Sequence, residues 1–321
     1  MRRIEGWGWG AVLSWALVAA WAIWALIRLL GLEYGFPLEA LMAFTPLVAA
    51  TAFVPVAVAL FAGNRPAAVV AGVVFVALLA MVLPRAFGGP TEAEGGDGPS
   101  FRVLAANMKL GRAEPEPLVD LVRELDVDVL SVEELSPELA ADLDQAGLRR
   151  LLPERVALTG RGSSGSALYA RMPLGPGTAE RLPGGFPLIS QRLAVEGAPA
   201  VEVVGVHTQP PTGSADWRED LRLVPAAIES PLRILLGDFN ATLDQDEFRD
   251  LVGRGYDYAG ATLGDGLTPT WPMNRRFQPL VAIDHVLADE RIGIRDYAVE
   301  ELPGSDHRAV YAELALPGVG Q

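Results

Sequence analysis

The sequence contains no cysteine among its 321 residues. It therefore excludes disulfides, thiolate nucleophiles, and zinc or iron–sulfur sites built on cysteine ligands. Histidine occurs only three times, and Lys109 is the only lysine, so arginine carries nearly all of the positive charge.

Charge and hydropathy are unevenly distributed along the chain. Half of the residues are hydrophobic, which excludes intrinsic disorder. The net charge is −14, of which residues 1–90 carry +2 and residues 91–321 carry −16. A positive mean hydropathy of +0.25 beside an isoelectric point near 4.7 is unusual for one uniform soluble domain. The sequence therefore predicts two different environments.

Three apolar runs occupy the N-terminal part, at residues 9–30, 38–62 and 67–83. Runs of this length cross the ~30 Å hydrocarbon core of a bilayer. A buried core helix explains one such run and a cleavable signal peptide explains the first, but neither explains all three. No ionisable residue lies in the middle of the second or third run, which favours an anchor over a transporter. We predict a bilayer anchor over residues 1–85 with three transmembrane helices.

The orientation of this anchor depends on few charges. Arg2 and Arg3 precede the first run, and Arg65 lies between the second and third. Because cytoplasmic loops are enriched in Lys and Arg, the N-terminus is predicted to be cytoplasmic, although Arg28 and Arg85 oppose this. Three crossings then place the C-terminal part outside. The sequence predicts a multi-pass cell-membrane protein with an extracellular domain.

Residues 86–100 are rich in Gly, Pro and acidic residues and are predicted to form a flexible linker. In residues 101–321, many short alternating strands are interspersed with helical patterns. Such strands suit sheets with helices on one face and a second sheet on the other. We therefore predict an α/β sandwich of two packed mixed sheets flanked by helices.

Polar residues recur at the ends of these strands or within short ones. Taken singly, an Asn or Asp after a strand is usually a turn former or a helix cap, and a lone His is usually structural. Taken together, acids, amides and imidazoles suit a hard divalent cation and acid–base chemistry on phosphate esters. The residues are Asn107, Glu134, His207, Asp238, Asn240, Asp284, Asp306 and His307.

Residues 101–316 resemble the endonuclease/exonuclease/phosphatase superfamily in the order, spacing and strand context of seven segments. The most specific pair is GDFN followed at a distance by SDH. The resemblance implies a four-layer α/β sandwich and phosphoesterase activity. The segments are Asn107, SVEEL (131–135), GVHTQ (205–209), LGDFNAT (236–242), TWP (270–272), IDHVL (283–287) and GSDHRAV (304–310).

Carried over residue by residue, the resemblance implies that Glu134 binds a divalent cation, supported by Asn107 and Asp306. The expected cation is Mg²⁺, with Mn²⁺ as the alternative. Glu133 stands where the family commonly has Gln, so Glu133 is an alternative ligand. His285 also departs from the family pattern, and strand alternation predicts that it points away from the site.

The resemblance also implies five catalytic residues. Asp238 would position or deprotonate the attacking water. Asn240 and His207 would donate hydrogen bonds to the phosphoryl oxygens as charge develops. His307, oriented by Asp284, would do the same or move a proton.

The substrate is a separate question, because the superfamily cleaves many phosphoesters. Nucleic acids bind largely through basic side chains, so a domain at −16 argues against a long polyanion. Lys109 and Arg308 are predicted to bind one or two substrate phosphates.

A tether at the bilayer raises the effective concentration of lipid substrates. In arrangement, the chain also resembles membrane phosphoesterases of the VanJ type from actinobacteria. That resemblance implies a polyprenyl pyrophosphate or another lipid-linked phosphate, and no obligate protein partner is inferred. The alternatives are a surface nuclease acting on DNA or RNA, and an inactive scaffold, which the complete set of expected residues disfavours.

Overall fold

The computed structural model describes residues 8–212, 216–273 and 280–318. Its contacts divide the chain into two compact units, Met1–Pro84 with Asp244–Asp246, and Arg85–Leu243 with Glu247–Gln321. Arg2 and Arg3, on which the predicted orientation depends, lie outside the described residues.

The first unit is helical. Among the described residues, two helices are long and apolar enough to cross a membrane, one at Trp9–Leu30 and one over Arg65–Ala86. The helices are α1 (Trp9–Leu30), α2 (Leu38–Met42), α3 (Thr45–Thr51), α4 (Phe53–Phe61) and α5 (Arg65–Val82), and a 3₁₀ turn follows at Leu83–Ala86.

The prediction of three continuous spanning helices is therefore corrected to two such helices and one interrupted apolar segment. The middle run, predicted as one helix over residues 38–62, is divided into α2, α3 and α4. Pro46 lies in the first turn of α3, and Pro55 is the third residue of α4. Proline cannot donate a backbone hydrogen bond and is tolerated in the first turn of a helix, so the breaks fall just before the two prolines.

The second unit contains twelve strands within the described residues. The strands are β1 (Asp97–Asn107), β2 (Val129–Glu133), β3 (Glu154–Leu158), β4 (Ser166–Ala170), β5 (Leu174–Arg181), β6 (Pro187–Leu193), β7 (Val201–His207), β8 (Leu232–Asp238), β9 (Tyr256–Tyr258), β10 (Asp284–Asp289), β11 (Gly293–Glu301) and β12 (Arg308–Pro317). They form two six-stranded sheets with the orders β11-β12-β1-β2-β4-β3 and β5-β6-β7-β8-β10-β9.

Both sheets are mixed. The pairs β1/β2 and β7/β8 are parallel, and the other pairs within the sheets are antiparallel. The helices of this part of the chain are α6 (Pro115–Glu124), α7 (Pro137–Ala146), α8 (Leu148–Leu151), α9 (Asp216–Leu223), α10 (Asp246–Val252) and α11 (Ala259–Thr262). Two mixed sheets flanked by helices confirm the predicted class of this domain.

Strand alternation sorts the core into layers. In β1, Phe101, Val103 and Ala105 lie in a cluster that also contains Val203 and Ile234 of the second sheet. The intervening residues of β1 face a second cluster, shared with α6 and α7. A third cluster joins the outer face of the second sheet to α9 and α10. Because neighbouring strand residues point to opposite faces, one strand supplies both an inter-sheet and a sheet–helix layer.

The predicted flexible linker differs from the structure. Within residues 86–100, Gly89 N–H donates to Thr262 O at 3.0 Å. Thr91 donates its N–H to Ile294 O and accepts from Ile294 N–H, both at 2.9 Å. The strand β1 already begins at Asp97. β11 is an edge strand, so its unpaired backbone groups are available to fix the passing chain.

Candidate active site

Three predicted residues meet on adjacent strands of the second sheet. His207 ends β7 and is paired in register with Asp238, which ends β8. Asp284 begins β10 and is paired with Asp238 from the other side. Residues in register on neighbouring strands project from the same face, so the three side chains lie together. All three are buried.

The first sheet contributes further predicted residues next to this group. Asn107, at the end of β1, is in register with Glu133, and Glu134 follows immediately. Asn107 Nδ2 donates to Asp238 Oδ2 at 2.9 Å, which joins the strand ends of the two sheets. The predicted residues therefore converge at one edge of the sandwich.

His307 lies between two carboxylates. Its Nδ1 is 3.1 and 3.0 Å from the two oxygens of Asp284, and its Nε2 is 3.9 Å from Asp238 Oδ2. His307 N–H donates to Ser305 Oγ at 3.0 Å, and that hydroxyl donates to Asn107 O at 2.7 Å. The Asp284 carboxylate thus orients the His307 ring, and Ser305 fixes the His307 backbone.

The charges of this group are set by burial and by one another. Burial opposes protonation of His307, but Asp284 and Asp238 outweigh it and raise its pKa to about 10. Burial, and then the charge of Asp284, raise the pKa of Asp238. Near neutral pH, His307 is an imidazolium paired with Asp284, while Asp238 is poised to exchange a proton.

Glu134 has a different environment. Its backbone is left-handed, with φ +58°, and its Oε2 accepts a hydrogen bond from Leu110 N–H. Burial raises its pKa, whereas the Leu110 bond, the charge of His307 and a hydrogen bond with Asn107 lower it. Asp306 is near enough to raise it as well. Asn107 is therefore a direct neighbour of Glu134, and Asp306 lies within range of its charge.

The donor set fits a hard divalent cation. Asn107, Glu134 and Asp306 offer amide and carboxylate oxygens, which Mg²⁺ and Mn²⁺ prefer. Asp238, Asp284 and His307 form another group whose ligand atoms lie within 4.8 Å of one another. In that second group, however, His307 Nδ1 is already bonded to Asp284.

Glu133 and Glu134 have opposite surroundings. Glu133 is buried and accepts a hydrogen bond from Ser131 Oγ. Its other oxygen, Oε2, has no hydrogen-bond partner within the described residues. Burial raises its pKa well above the usual range. Glu133 is close enough to Asp284 and Asp238 for their charges to raise its pKa further, whereas Glu134 is bonded to Leu110 and Asn107.

The remaining donors flank Asp238. Asn240, left-handed at φ +47°, donates its N–H to Asp238 Oδ1 and its Nδ2 to Thr208 O, both at 2.9 Å. His207 Nε2 is 3.8 Å from Asp238 Oδ2. Burial, and then His307, lower the pKa of His207 to about 3, so its ring is neutral at physiological pH.

The two predicted substrate-binding residues are placed differently. Lys109 is half-buried beside the site, and its N–H donates to Asn107 Oδ1 at 3.0 Å. Arg308 directs its guanidinium to Glu301 Oε1 at 3.2 Å and to Pro269 O at 3.3 Å. These two bonds hold Arg308 in place, and its role in substrate binding stays a prediction. Arg275 and Arg276, which also add local positive charge, lie outside the described residues.

His285 points away from the site, in agreement with strand alternation. Its ring stacks on Phe248 with centroids 4.5 Å apart, and it meets Tyr258 edge-on at 4.7 Å. The Nε2 atom is 2.7 Å from Ala241 O. Burial lowers its pKa to about 4, so the ring is a neutral part of the core.

Sequence reasoning missed two supporting hydroxyls. Ser305 bridges Asn107 and His307, as described above. Thr270 Oγ1 accepts from Ile283 N–H at 3.0 Å and from Asp284 N–H at 3.2 Å, which fixes the start of β10. Both lie within the segments TWP and GSDH, but only the tertiary structure shows their partners.

A family model described as the Endonuclease/Exonuclease/phosphatase family matches residues 104–307, and the chain belongs to this family. Members of the family are generally hydrolases of phosphoesters and typically use divalent metals. No curated protein matches the chain.

Solved structures with the same fold have low identity to this chain. An endonuclease/exonuclease/phosphatase from Beutenbergia cavernae is 21% identical, with 68% of this chain and 72% of that chain covered and a TM-score of 0.52. A functionally unknown conserved protein from Enterococcus faecalis is 15% identical, with 67% and 100% covered and a TM-score of 0.55. D. rerio TDP2 complexed with a single-strand DNA product is 16% identical, with 68% and 99% covered and a TM-score of 0.53. At these identities the likeness establishes the fold alone.

Proposed function

We propose that the chain is a divalent-metal-dependent phosphoesterase. The observation that carries this proposal is the placement of the His307 imidazolium between Asp284 and Asp238. Asn107, Glu134 and Asp306 lie beside that group and would hold the cation, Mg²⁺ or Mn²⁺. When bound, such a cation neutralises phosphate charge and stabilises the leaving oxygen.

The side chains divide the remaining work. Ionised Asp238 accepts a proton from the water whose oxygen attacks phosphorus. His307, protonated and held by Asp284, donates to the phosphoryl oxygens or to the leaving oxygen as the P–O bond to the leaving group breaks. Asn240 and neutral His207 supply further hydrogen-bond donors to the equatorial oxygens. Such donors replace water around the developing charge, and loss of one typically costs on the order of 10² to 10³ in rate.

The site has an apolar border, which supports a substrate with an apolar group next to its phosphate. Trp271 is 37% exposed, and its ring centroid is 6.4 Å from that of His307. Phe186 is half-buried and meets His207 edge-on at 4.5 Å. Leu110, 41% exposed, adjoins Glu134 through its backbone. Partly exposed aromatic and aliphatic side chains of this kind typically line ligand sites.

We therefore propose a lipid-linked phosphate or pyrophosphate as the substrate. The negative charge of residues 91–321 disfavours long nucleic acids. Apolar helices of the first unit would keep the enzyme at its lipid substrate.

We also propose that the catalytic domain acts on the extracellular side. This orientation requires an odd number of crossings, so the interrupted apolar segment Thr45–Phe61 would have to cross as well. Its 17 residues reach about 26 Å at 1.5 Å per residue, close to the thickness of the hydrocarbon core. Protease treatment of intact cells should degrade the domain. Protection of the domain would reverse the orientation.

A substrate panel on the purified full-length protein tests activity and substrate class. We expect phosphate release from a polyprenyl pyrophosphate in Mg²⁺, loss of release in EDTA, and little plasmid nicking. EDTA-insensitive turnover would contradict metal dependence, and rapid nicking would favour the nuclease alternative.

A pair of variants tests the apolar border. Trp271→Ala should lower kcat/KM for the polyprenyl substrate about tenfold or more but leave a short soluble phosphate ester nearly unaffected. Ile228→Ala is the matched control, because Ile228 is 43% exposed and lies just before β8, whereas Asp238 is at the end of that strand. An equal loss on both substrates in Trp271→Ala would contradict a role in binding the lipid.

A further inference from the structure

Three consecutive residues after β1 adopt the left-handed conformation. The φ angles are +47° for Lys109, +56° for Leu110 and +73° for Gly111. A left-handed backbone is unfavourable for residues with a Cβ and uncommon for a bulky one such as leucine. The Leu110 side chain is 41% exposed, so its own burial does little to offset this cost.

The turn points two backbone donors at two predicted metal-binding side chains. Lys109 N–H donates to Asn107 Oδ1 at 3.0 Å, and Leu110 N–H donates to Glu134 Oε2. Successive N–H groups in such turns converge on one side and favour negative charge there. A strained backbone at a functional site persists only where the surrounding structure holds it.

The surrounding structure does hold this turn. Met108 N–H donates to Glu133 O at 3.0 Å before the turn, and Arg112 N–H returns to Met108 O at 3.0 Å after it. A Cβ on Gly111 would lie 2.8 Å from Ser136 Oγ and 2.9 Å from Ser136 Cβ. Ser136 in turn caps α7 by accepting from Leu139 N–H at 3.1 Å. The turn is therefore packed against the start of a helix.

We propose that the left-handed turn Lys109–Gly111 is a positioning element that orients Glu134 and Asn107 for cation binding. This inference rests on the proposed metal dependence. The backbone N–H of Leu110 fixes one oxygen of Glu134, while that of Lys109 fixes the amide oxygen of Asn107. In cation binding, Leu110 acts through its conformation rather than through its side chain.

A series at position 110 tests the proposal, because Gly, Ala and Val differ in their tolerance of a positive φ. Glycine adopts it readily, alanine less so, and β-branched valine worst. Mn²⁺ affinity of the full-length protein in detergent is measured by titration calorimetry, with thermal unfolding recorded in parallel. We expect Leu110→Gly to stay within about threefold of wild type and Leu110→Val to raise the Kd about tenfold, with Leu110→Ala between.

Two results would overturn the turn's role. One is an unchanged Kd across the series despite altered thermal stability, which would make the turn merely structural. The other is an equal loss of affinity in Leu110→Gly and Leu110→Val, which would place the effect in the leucyl side chain. Glu134→Gln separates the two proposals. If Glu134→Gln weakens Mn²⁺ binding and Leu110→Val does not, the turn proposal fails but the metal site stands. If the wild-type protein does not bind Mn²⁺ at all, the proposed metal site is wrong.

Discussion

Replacement of Asp284 by asparagine removes the charge that keeps His307 protonated, with little change in shape. The two groups are 3.0 Å apart and buried. At an effective dielectric constant of about 20, opposite charges at ~3 Å attract by ~5.5 kcal/mol, or ~4 pKa units. The pKa of His307, about 10 in the wild type, should then fall to roughly 6. At pH 8 only ~1% of His307 would keep its proton, so kcat/KM should fall about 100-fold.

The pH profile distinguishes this mechanism from a general loss of structure. In the wild type, kcat/KM should rise with pH as Asp238 ionises and fall as His307 deprotonates near pH 10. In Asp284→Asn both limbs should move to lower pH, because Asp284 raises the pKa of Asp238 and of His307. Lowering the pH from 8 to 6 should therefore recover much of the lost rate.

The control is Asp289→Asn on the same strand. Asp289 is buried and is paired with Arg291 at 2.6 Å, but it lies at the far end of β10. This variant should retain the wild-type pH profile. Histidine NMR can follow His307 directly, because the chain contains only three histidines. An Asp284→Asn enzyme with an unshifted profile and a uniformly lower rate would refute the assigned role of the ion pair.

Three further predictions concern the core and the metal site. The pKa of His285 is about 4 in the folded protein, whereas that of an unfolded histidine is ~6.5, so the unfolded chain is protonated first as the pH falls. This difference should cost about 3 kcal/mol of stability between pH 7 and pH 4. His285→Phe should abolish that loss, as measured by denaturant unfolding. Gly237→Ala should destabilise the fold by more than about 3 kcal/mol, since the new Cβ would lie 2.0 Å from Val206 O. A Cβ at Gly185 would have no atom within 4 Å, so Gly185→Ala should cost only about 1 kcal/mol. Glu134→Gln should raise the Mg²⁺ concentration needed for half-maximal phosphate release at least tenfold, and an unchanged requirement would exclude Glu134 as a ligand.

Local sequence pattern was sufficient to predict many of the strands and helices of the second unit. Two-residue alternation is visible in Val201–His207 and helical periodicity in Pro137–Ala146, and the structure forms β7 and α7 there. Residues 86–100 could not be predicted in the same way. Their composition is that of a linker, but Thr91 is fixed by Ile294, some 200 residues away, so only the tertiary fold reveals the contact.

The apolar N-terminal runs show a different limit. Hydropathy correctly located the two long helices, but it is insensitive to backbone hydrogen bonding. Pro46 and Pro55 lack the N–H that a continuous helix needs, and the middle run is divided near both residues. The prolines were visible in the sequence, but the extent of the break was not.

Within the site, the types of the functional residues could be predicted from the sequence, but the hydrogen bonds that orient them could not. Asp238 and Asp284 belong to segments with recognisable spacing, and the sheet register brings them side by side. The roles of Ser305 and Leu110 depend on a hydroxyl bridge and on a backbone N–H, which no residue pattern encodes. Supporting contacts of this kind emerge only when strands distant in sequence are paired.

The most direct test of the central claim is the rate of phosphate release by full-length Asp238→Asn, an isosteric change at the residue where both sheets meet. With Mg²⁺ and a polyprenyl pyrophosphate, the account predicts a loss on the order of 10³-fold or more, with folding preserved. Release within tenfold of the wild-type rate would contradict the account, because the proposed acceptor of the water proton would then be dispensable.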